Sequence, residues 1–265
     1  MKNQESMFAV ITGASQGLGK AFATELARQG KNLILVSLPD QNLQQLSEEL
    51  AEQYQVKAVC YQTDLTNDKN VRLLALWINN NFDVNLLINN AGIGGTHKFR
   101  DVGVGYINNI IQVNVMATAV LTHQLLPNLM RQNQSYILNV SSLAAFSPVG
   151  NKTVYPATKA FVHSFTRGLY AELKNTNVFV SVVNPGAMDT NDEIRARIKA
   201  QGILGKFSLS KPEVVAKKAI SQLFRKDTVI IINPLSWLVL NLVPVWIKLP
   251  LMTRAVEREL RCVHA

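Results

Sequence analysis
The chain has 265 residues, 48% of them hydrophobic and 17% charged, which is enough apolar material for one large core and excludes a disordered chain. Cys60 and Cys262 are the only cysteines, too few and too far apart for a disulfide framework, so a reducing, cytoplasmic compartment is the default. The formal net charge of +9 is concentrated late in the chain, and no nucleic-acid recognition motif accompanies it.

The opening residues, MKNQESMFAVITG, hold one lysine and no separate apolar run, and predict no secretory leader. FAVIT (8–12) is a short β-branched run that ends in a glycine turn. GLGKAFATELARQG then shows helical periodicity and closes at Gly30. NLILVS (32–37) repeats the buried-strand pattern before a polar helix, QNLQQLSEELAEQY. VKAVCYQTDL (56–65) predicts a third strand and NVRLLALWINNNF the next helix. NLLINNAG (85–92), SYILNVSS (135–142), VFVSVVNPG (178–186) and TVIIIN (228–233) follow as strands four to seven, with long helices at about 106–132 and 154–175.

Strands that are apolar throughout are buried on both faces, which means a parallel sheet covered by helices on each side. Right-handed crossovers then give a Rossmann-type, doubly wound α/β sheet of about seven strands, with ligands at the carboxyl ends. Neither a repeat nor a linker interrupts it. A single domain is expected, with a core at 7–233, a basic region at 191–226 and a C-terminal extension at 234–265, apolar and then basic.

Three features carry chemistry. TGASQGLG, from Thr12 to Gly19, lies between the first strand and the first helix, where a dinucleotide loop must sit. There Gly13 permits the tight turn, Gly17 lets backbone approach a pyrophosphate, and Gly19 lets helix pack on strand. Tyr155 and Lys159 are one helical turn apart and share a face, either as a surface pair or as a functional one. Asn114 sits in the otherwise apolar IIQVNVMATAV, where an unpaired amide is costly, so it serves helix packing or a site.

Together TGxxxGxG, NNAG (Asn89 to Gly92), NVSS ahead of Tyr-x-x-x-Lys, and NPG after the sixth strand resemble the short-chain dehydrogenase/reductase family, in family order over about 7–233. The resemblance implies hydride transfer between a nicotinamide coenzyme and a ketone or secondary alcohol. Tyr155 is then the proton donor. A phenol has a pKa of about 10, which the Lys159 ammonium would pull down. The family serine lies thirteen residues before the tyrosine, which selects Ser142 to hold the substrate oxygen and leaves Ser141 to support the turn. Asn114 is implied to position a water in a proton relay to Lys159, which also holds the nicotinamide ribose.

Coenzyme contacts carried over by the resemblance are Gly13, Ser15, Gln16, Gly17, Leu18, Gly19, Ser37, Asp64, Leu65, Asn90, Ala91, Gly92, Pro185, Gly186 and Thr190, besides Tyr155 and Lys159. Several of these could instead be turn chemistry. The second strand ends in Ser37 and Leu38 with no carboxylate to repel a 2′-phosphate, which favours NADP(H) over NAD(H). No metal is expected, and a homodimer or homotetramer is. The intact Asn, Ser, Tyr and Lys set argues against the alternative, a dinucleotide-binding scaffold without turnover.

From Arg195 to Lys226, nine basic residues face a single acid, Glu213, where the family builds the mobile wall of its substrate site. This is either a solvated face or an attractor for an anionic substrate head. Val229 to Met252 then carries one charge, Lys248, and is broken into pieces by Pro234, Pro244 and Pro250, so a membrane span is not expected. It reads as a lid over an apolar pocket, as a dimer contact, or as a monotopic patch with Trp237 and Trp246 at a lipid interface and Arg254, Arg258 and Arg261 beyond. The whole chain is also similar to the very-long-chain 3-ketoacyl-CoA reductase branch and its steroid-oxidising relatives. That likeness implies an apolar substrate such as a 3-ketoacyl thioester, ketosphinganine or a steroid.

Overall fold
The computed structural model describes residues 7–188 and 209–263, with side chains through Arg261. Seven strands are present: β1 (Met7–Thr12), β2 (Asn32–Ser37), β3 (Ala58–Gln62), β4 (Asp83–Asn89), β5 (Ser135–Val140), β6 (Val178–Asn184) and β7 (Val229–Ile231). All pair in parallel, in the order β3-β2-β1-β4-β5-β6-β7. The chain runs outward from β1 to β3, then crosses back to β4 on the other side of β1. The loops after β1 and β4 therefore part and open a crevice at their carboxyl ends.

Helices on both faces explain the apolar strands. On one face α1 (Gly17–Arg28), α2 (Leu43–Tyr54) and α7 (Pro212–Phe224) set Phe22, Leu26, Leu46 and Ile220 against Ile11, Leu35 and Val183. On the other, α3 (Asp68–Asn81) and α5 (Thr118–Met130) set Leu74, Ile78, Leu121 and Leu125 against Val10, Ile34 and Leu87. All six residues of β2 are buried as a result. The remaining α-helices among the described residues are α4 (Val104–Ile111), α6 (Val154–Leu173), α8 (Pro234–Leu242) and α9 (Val245–Val263).

Four expectations need correction. The third strand stops at Gln62 rather than at residue 65, because Asp64 accepts from the backbone N–H (2.9 Å) and hydroxyl (2.8 Å) of Thr66 in a turn. The helix expected at 106–132 is α4, a π-helical turn at Gln112–Ala117, and α5. Val104–Met130 is long and apolar enough to cross a membrane, yet Leu121, Leu125 and Leu129 are buried against the sheet as core. Pro234 opens α8 and Pro244 separates α8 from α9, but α9 runs on through Pro250.

The basic region is the fourth. Its second half forms α7, which packs on α1 rather than over a substrate entrance. Lys217 lies near Glu25 of α1, and Lys218 Nζ donates to the carbonyls of Ile231 (3.0 Å) and Ile232 (3.2 Å). Lys226 reaches Gln134, just before β5 begins and so at the opposite end of the sheet from its carboxyl edge. Thr190, Arg195, Arg197, Lys199 and Lys206 lie outside the described residues.

Candidate active site
The glycine turn is stitched to the neighbouring loop. Gly13 (φ +66) and Gly17 (φ +54) occupy left-handed conformations that suit glycine. A Cβ on Gly19 would stand 1.9 Å from the Gly13 carbonyl oxygen and 2.7 Å from Asn90 Nδ2, so only hydrogen fits. Asn90 Nδ2 donates to the carbonyls of Thr12 (3.0 Å) and Gly13 (3.2 Å), while Thr12 Oγ1 accepts from the backbone N–H of Asn90 and Ala91, each at 3.0 Å. No side-chain hydrogen bond caps α1 and no acid lies in its first turn. Its leading N–H groups thus face the crevice as an anion site, fit for a pyrophosphate.

Other residues expected around a coenzyme have framework duties. Ser15 Oγ donates to Gln41 Oε1 (2.5 Å), and Ser37 Oγ to the carbonyl of Leu38 (2.9 Å). Asp64 is engaged with Thr66, and Leu65 is buried in the core. Gln16 and Leu18 bracket Gly17 at the start of α1. Leu38 is 45% exposed where the second strand ends, and the first acid after it, Asp40, sits in a turn.

The four expected catalytic residues converge at the carboxyl ends of β4 and β5. Ser142 follows β5 and caps a 3₁₀ turn, Leu143–Phe146, accepting from Ala144 N (3.1 Å) and donating to the Pro185 carbonyl (3.4 Å). Its hydroxyl also hydrogen-bonds the Tyr155 phenol. Lys159 is 5% exposed; its Nζ donates to the Val140 carbonyl (2.9 Å) and lies 5.8 Å from the Tyr155 ring centroid. Ser141, rather than supporting its own turn, donates to the Lys159 carbonyl (2.7 Å) and so ties β5 to α6.

Asn114 is fully buried in the π-helical turn, a distortion that recurs at functional sites. Its Nδ2 donates to Ile93 O (2.9 Å) and Thr158 Oγ1 (3.0 Å), and its Oδ1 accepts from Ile93 N (2.9 Å). The amide thus clamps the loop after β4 onto α6. Gly92 passes close beneath: a Cβ there would lie 3.2 Å from Asn114 Oδ1 and 3.3 Å from Lys159 Nζ.

Burial dominates the electrostatics. It pushes the Tyr155 phenol above 10, opposed by the Ser142 hydrogen bond, and lowers Lys159 to about 8. Lys159, from which a depression of the phenol was expected, is not among the influences that shift it. A phenol held protonated is a proton donor in waiting.

Above this set opens a cavity of about 1130 Å³. Its floor is Ser142, Tyr155, Lys159, Pro185 and Gly186, and one wall is α8, α9 and the turn between them, through Leu240, Val243, Met252 and Val256. The tail is fastened by polar contacts that sequence reasoning missed. Lys248 Nζ donates to the carbonyls of Phe146 (2.7 Å) and Leu240, Gly150 N donates to Thr253 Oγ1 (3.0 Å), and Thr96 Oγ1 donates to Glu259 Oε1 (2.9 Å). Trp237 turns inward, its ring centroid 6.5 Å from that of Phe146, instead of standing at an interface. A single lysine in an apolar run was the one signal of this anchoring.

Residues 7–200 match the short chain dehydrogenase family. An uncharacterised oxidoreductase of Staphylococcus epidermidis is 34% identical over 191 residues, 72% of this chain and 81% of that protein. A very-long-chain 3-oxoacyl-CoA reductase of Anas platyrhynchos is 34% identical over 182 residues, 67% of this chain and 58% of the relative. Among solved structures, a short-chain dehydrogenase from Sphingobium yanoikuyae in complex with NADPH superposes with a TM-score of 0.77 at 28% identity, covering 85% of this chain and 87% of that one.

Proposed function
The chain belongs to the short-chain dehydrogenase family, and on that premise we propose that it interconverts a bulky apolar ketone and its secondary alcohol, with NADP(H) preferred over NAD(H). The observation that carries this reading is the meeting of Ser142, Tyr155 and Lys159 at the floor of a large, mainly apolar cavity, beside a glycine turn with an open helix end.

A bound nicotinamide coenzyme supplies or takes the hydride. The chain's own residues do the rest. Ser142 holds the carbonyl oxygen within reach of the Tyr155 phenol, which gives its proton as that oxygen gains charge. Lys159, buried one turn along α6, presents an ammonium near neutral pH that favours the phenolate left behind. Asn114 and Gly92 hold the loop against that lysine.

The NADP(H) preference is supported by Leu38, where a carboxylate would repel a 2′-phosphate, and by the NADPH bound to the Sphingobium protein. A lipid-like substrate is supported by the apolar tail wall and by the likeness to the Anas reductase. The described lysines of α7 do not line the cavity. The test is coenzyme consumption with both reduced coenzymes on long-chain 3-ketoacyl thioesters, ketosteroids and bulky simple ketones. Tyr155→Phe should bind coenzyme normally and lose about 10²–10⁴-fold in kcat. Near-normal turnover by that variant would overturn the mechanism.

We also propose that the outer face of the tail docks on an anionic lipid surface. Leu242 (70% exposed), Val245 (49%) and Trp246 (76%) project from it, and Lys248, the only charge between Asp227 and Arg254, is turned inward. Along α9, Ile247, Arg254, Arg258 and Arg261 follow helical spacing down one exposed stripe, apolar and then basic. That charge suits anionic headgroups beside an immersed apolar end.

A further inference from the structure
Lys248 lines the cavity and is 8% exposed. Its Nζ donates to the carbonyl of Phe146 (2.7 Å) and to that of Leu240, in the last turn of α8. Both acceptors are neutral, and among the described residues no carboxylate pairs with the ammonium. The carbonyl end of α8 favours a positive charge, yet a buried ammonium answered by dipoles alone still lacks a counter-ion. An ammonium carries three N–H donors, and the two carbonyls take two of them. One donor and a full charge are left at the cavity wall.

The place of that charge is set by the elements around it. Phe146 ends the 3₁₀ turn that Ser142 caps, so the two stand four residues apart, about 8 Å at the rise of such a turn. Leu143 and Ala144 of the same turn also line the cavity. On the outer side, Val239 precedes Leu240 and Leu251 follows Lys248 by three residues. Both line the cavity and are half-exposed, so they mark its mouth. Lys248 thus stands between the reacting floor and the mouth, where an anion keeps part of its water and is less costly to bind. Glu259, an acid on the same wall, lies eleven residues further along α9, about 16 Å of helix axis away.

We propose that Lys248 is a specificity-determining residue: its ammonium binds a carboxylate that the substrate carries several bonds from the reacting carbonyl. This rests on the ketone-reductase reading and narrows its substrate class from apolar ketones to long-chain oxo acids. One remaining N–H suits a single carboxylate oxygen, whereas a phosphate presents three strong acceptors. An ammonium at the same place on the substrate would meet like charge and be refused.

The probes are tetradecanoic acids bearing one oxo group at carbon 3, 5, 7, 9 or 11, each beside its methyl ester, which removes the charge. With wild type, the acid-to-ester ratio of kcat/KM should peak at an intermediate spacing, at about tenfold or more. Lys248→Gln, which keeps an N–H donor for the carbonyls, should collapse that ratio towards one. Lys248→Arg keeps the charge on a longer head and should keep the ratio while moving the spacing at which it peaks. Thr253→Val releases the Gly150 fastener of α9, and neither residue lines the cavity, so ratio and spacing should stay as in wild type. The proposal is overturned if no acid outperforms its ester, or if Lys248→Gln lowers Tm and slows acids and esters by the same factor, as a mere fastener of the tail would. Should Lys248→Gln not fold, Lys248→Arg decides: an unmoved peak overturns the contact. Lys152 lines the same cavity with its Nζ 5.7 Å from the Tyr155 ring centroid, and loss of the preference in Lys152→Gln but not in Lys248→Gln would overturn the proposal too. Calorimetric binding of acids and esters to Tyr155→Phe separates the two readings. A Lys248-dependent preference in binding without turnover by any enzyme form would retain this inference while removing the reductase function.

Discussion
Lys159 shows the tension between folding and chemistry at the scale of one residue. Burial lowers its pKa to about 8 from an ordinary 10.5, so the folded chain holds the proton less tightly than the unfolded chain. For a basic group depressed in this way the penalty is fully present below pH 8 and fades as pH rises towards 10.5. Its size is about 3 kcal/mol. Lys159→Met should remove that penalty and leave the Val140 carbonyl bare, which costs about 1 kcal/mol. The expected outcome in urea titrations is a variant more stable than wild type at pH 7 by about 2 kcal/mol, with the gain shrinking as both are compared towards pH 10. An unchanged or lower stability at pH 7 would show that the buried ammonium is fully compensated. The variant should also fail to turn over. The pairing of Tyr155 with Lys159 was legible because helical spacing brings i and i+4 together, and Ser142 because its offset from Tyr155 is that of a resembled family. Glu259 was not legible: it lies 163 residues from Thr96, and no local pattern announces such a contact.

Among the elements, strands and their order were the most readable part, since continuous β-branched and apolar runs have few other homes than a covered parallel sheet. Their ends were less so. Asp64 terminates the third strand through its own side chain, and Asn114 is turned inward by a π-helical insertion that apolar periodicity does not reveal. The β1–α1 turn is where local geometry is tightest. Gly19→Ala would drive a methyl into the Gly13 carbonyl and the Asn90 amide, which are backbone and clamped side chain and so cannot yield. We expect a loss of about 1–3 kcal/mol in stability, and a larger proportional loss in coenzyme affinity because the helix end is displaced from its anion site. Gly30→Ala is the control: a left-handed residue with open space around it, it should cost about 1 kcal/mol and spare coenzyme binding. Denaturation midpoints and coenzyme titrations of the pair check this, and equal effects at both positions would contradict the steric account.

For the molecule as a whole, the tail decides how a substrate reaches the site. Sequence left three readings of it, because a run of 24 residues with one charge looks the same whether its apolar side faces a pocket, a second copy or lipid. The fold divides the run: Leu240, Val243 and Met252 line the cavity, while Leu242, Val245 and Trp246 face away from the core. A lipid lying in a bilayer could then pass from the immersed face into the cavity behind it. In flotation assays the protein should rise with vesicles containing phosphatidylglycerol and much less with pure phosphatidylcholine, and added salt should weaken the association as screening sets in within about 8 Å. Arg254→Gln, Arg258→Gln and Arg261→Gln together should reduce partitioning on the order of a hundredfold, at roughly fivefold for each lost charge near the surface. Trp246→Glu should abolish it at any lipid composition, since a carboxylate replaces the most exposed anchor. If both variants float like wild type, the tail does not touch lipid. If Trp246→Glu instead halves the mass seen by light scattering without affecting flotation, the face belongs to a second copy of this chain.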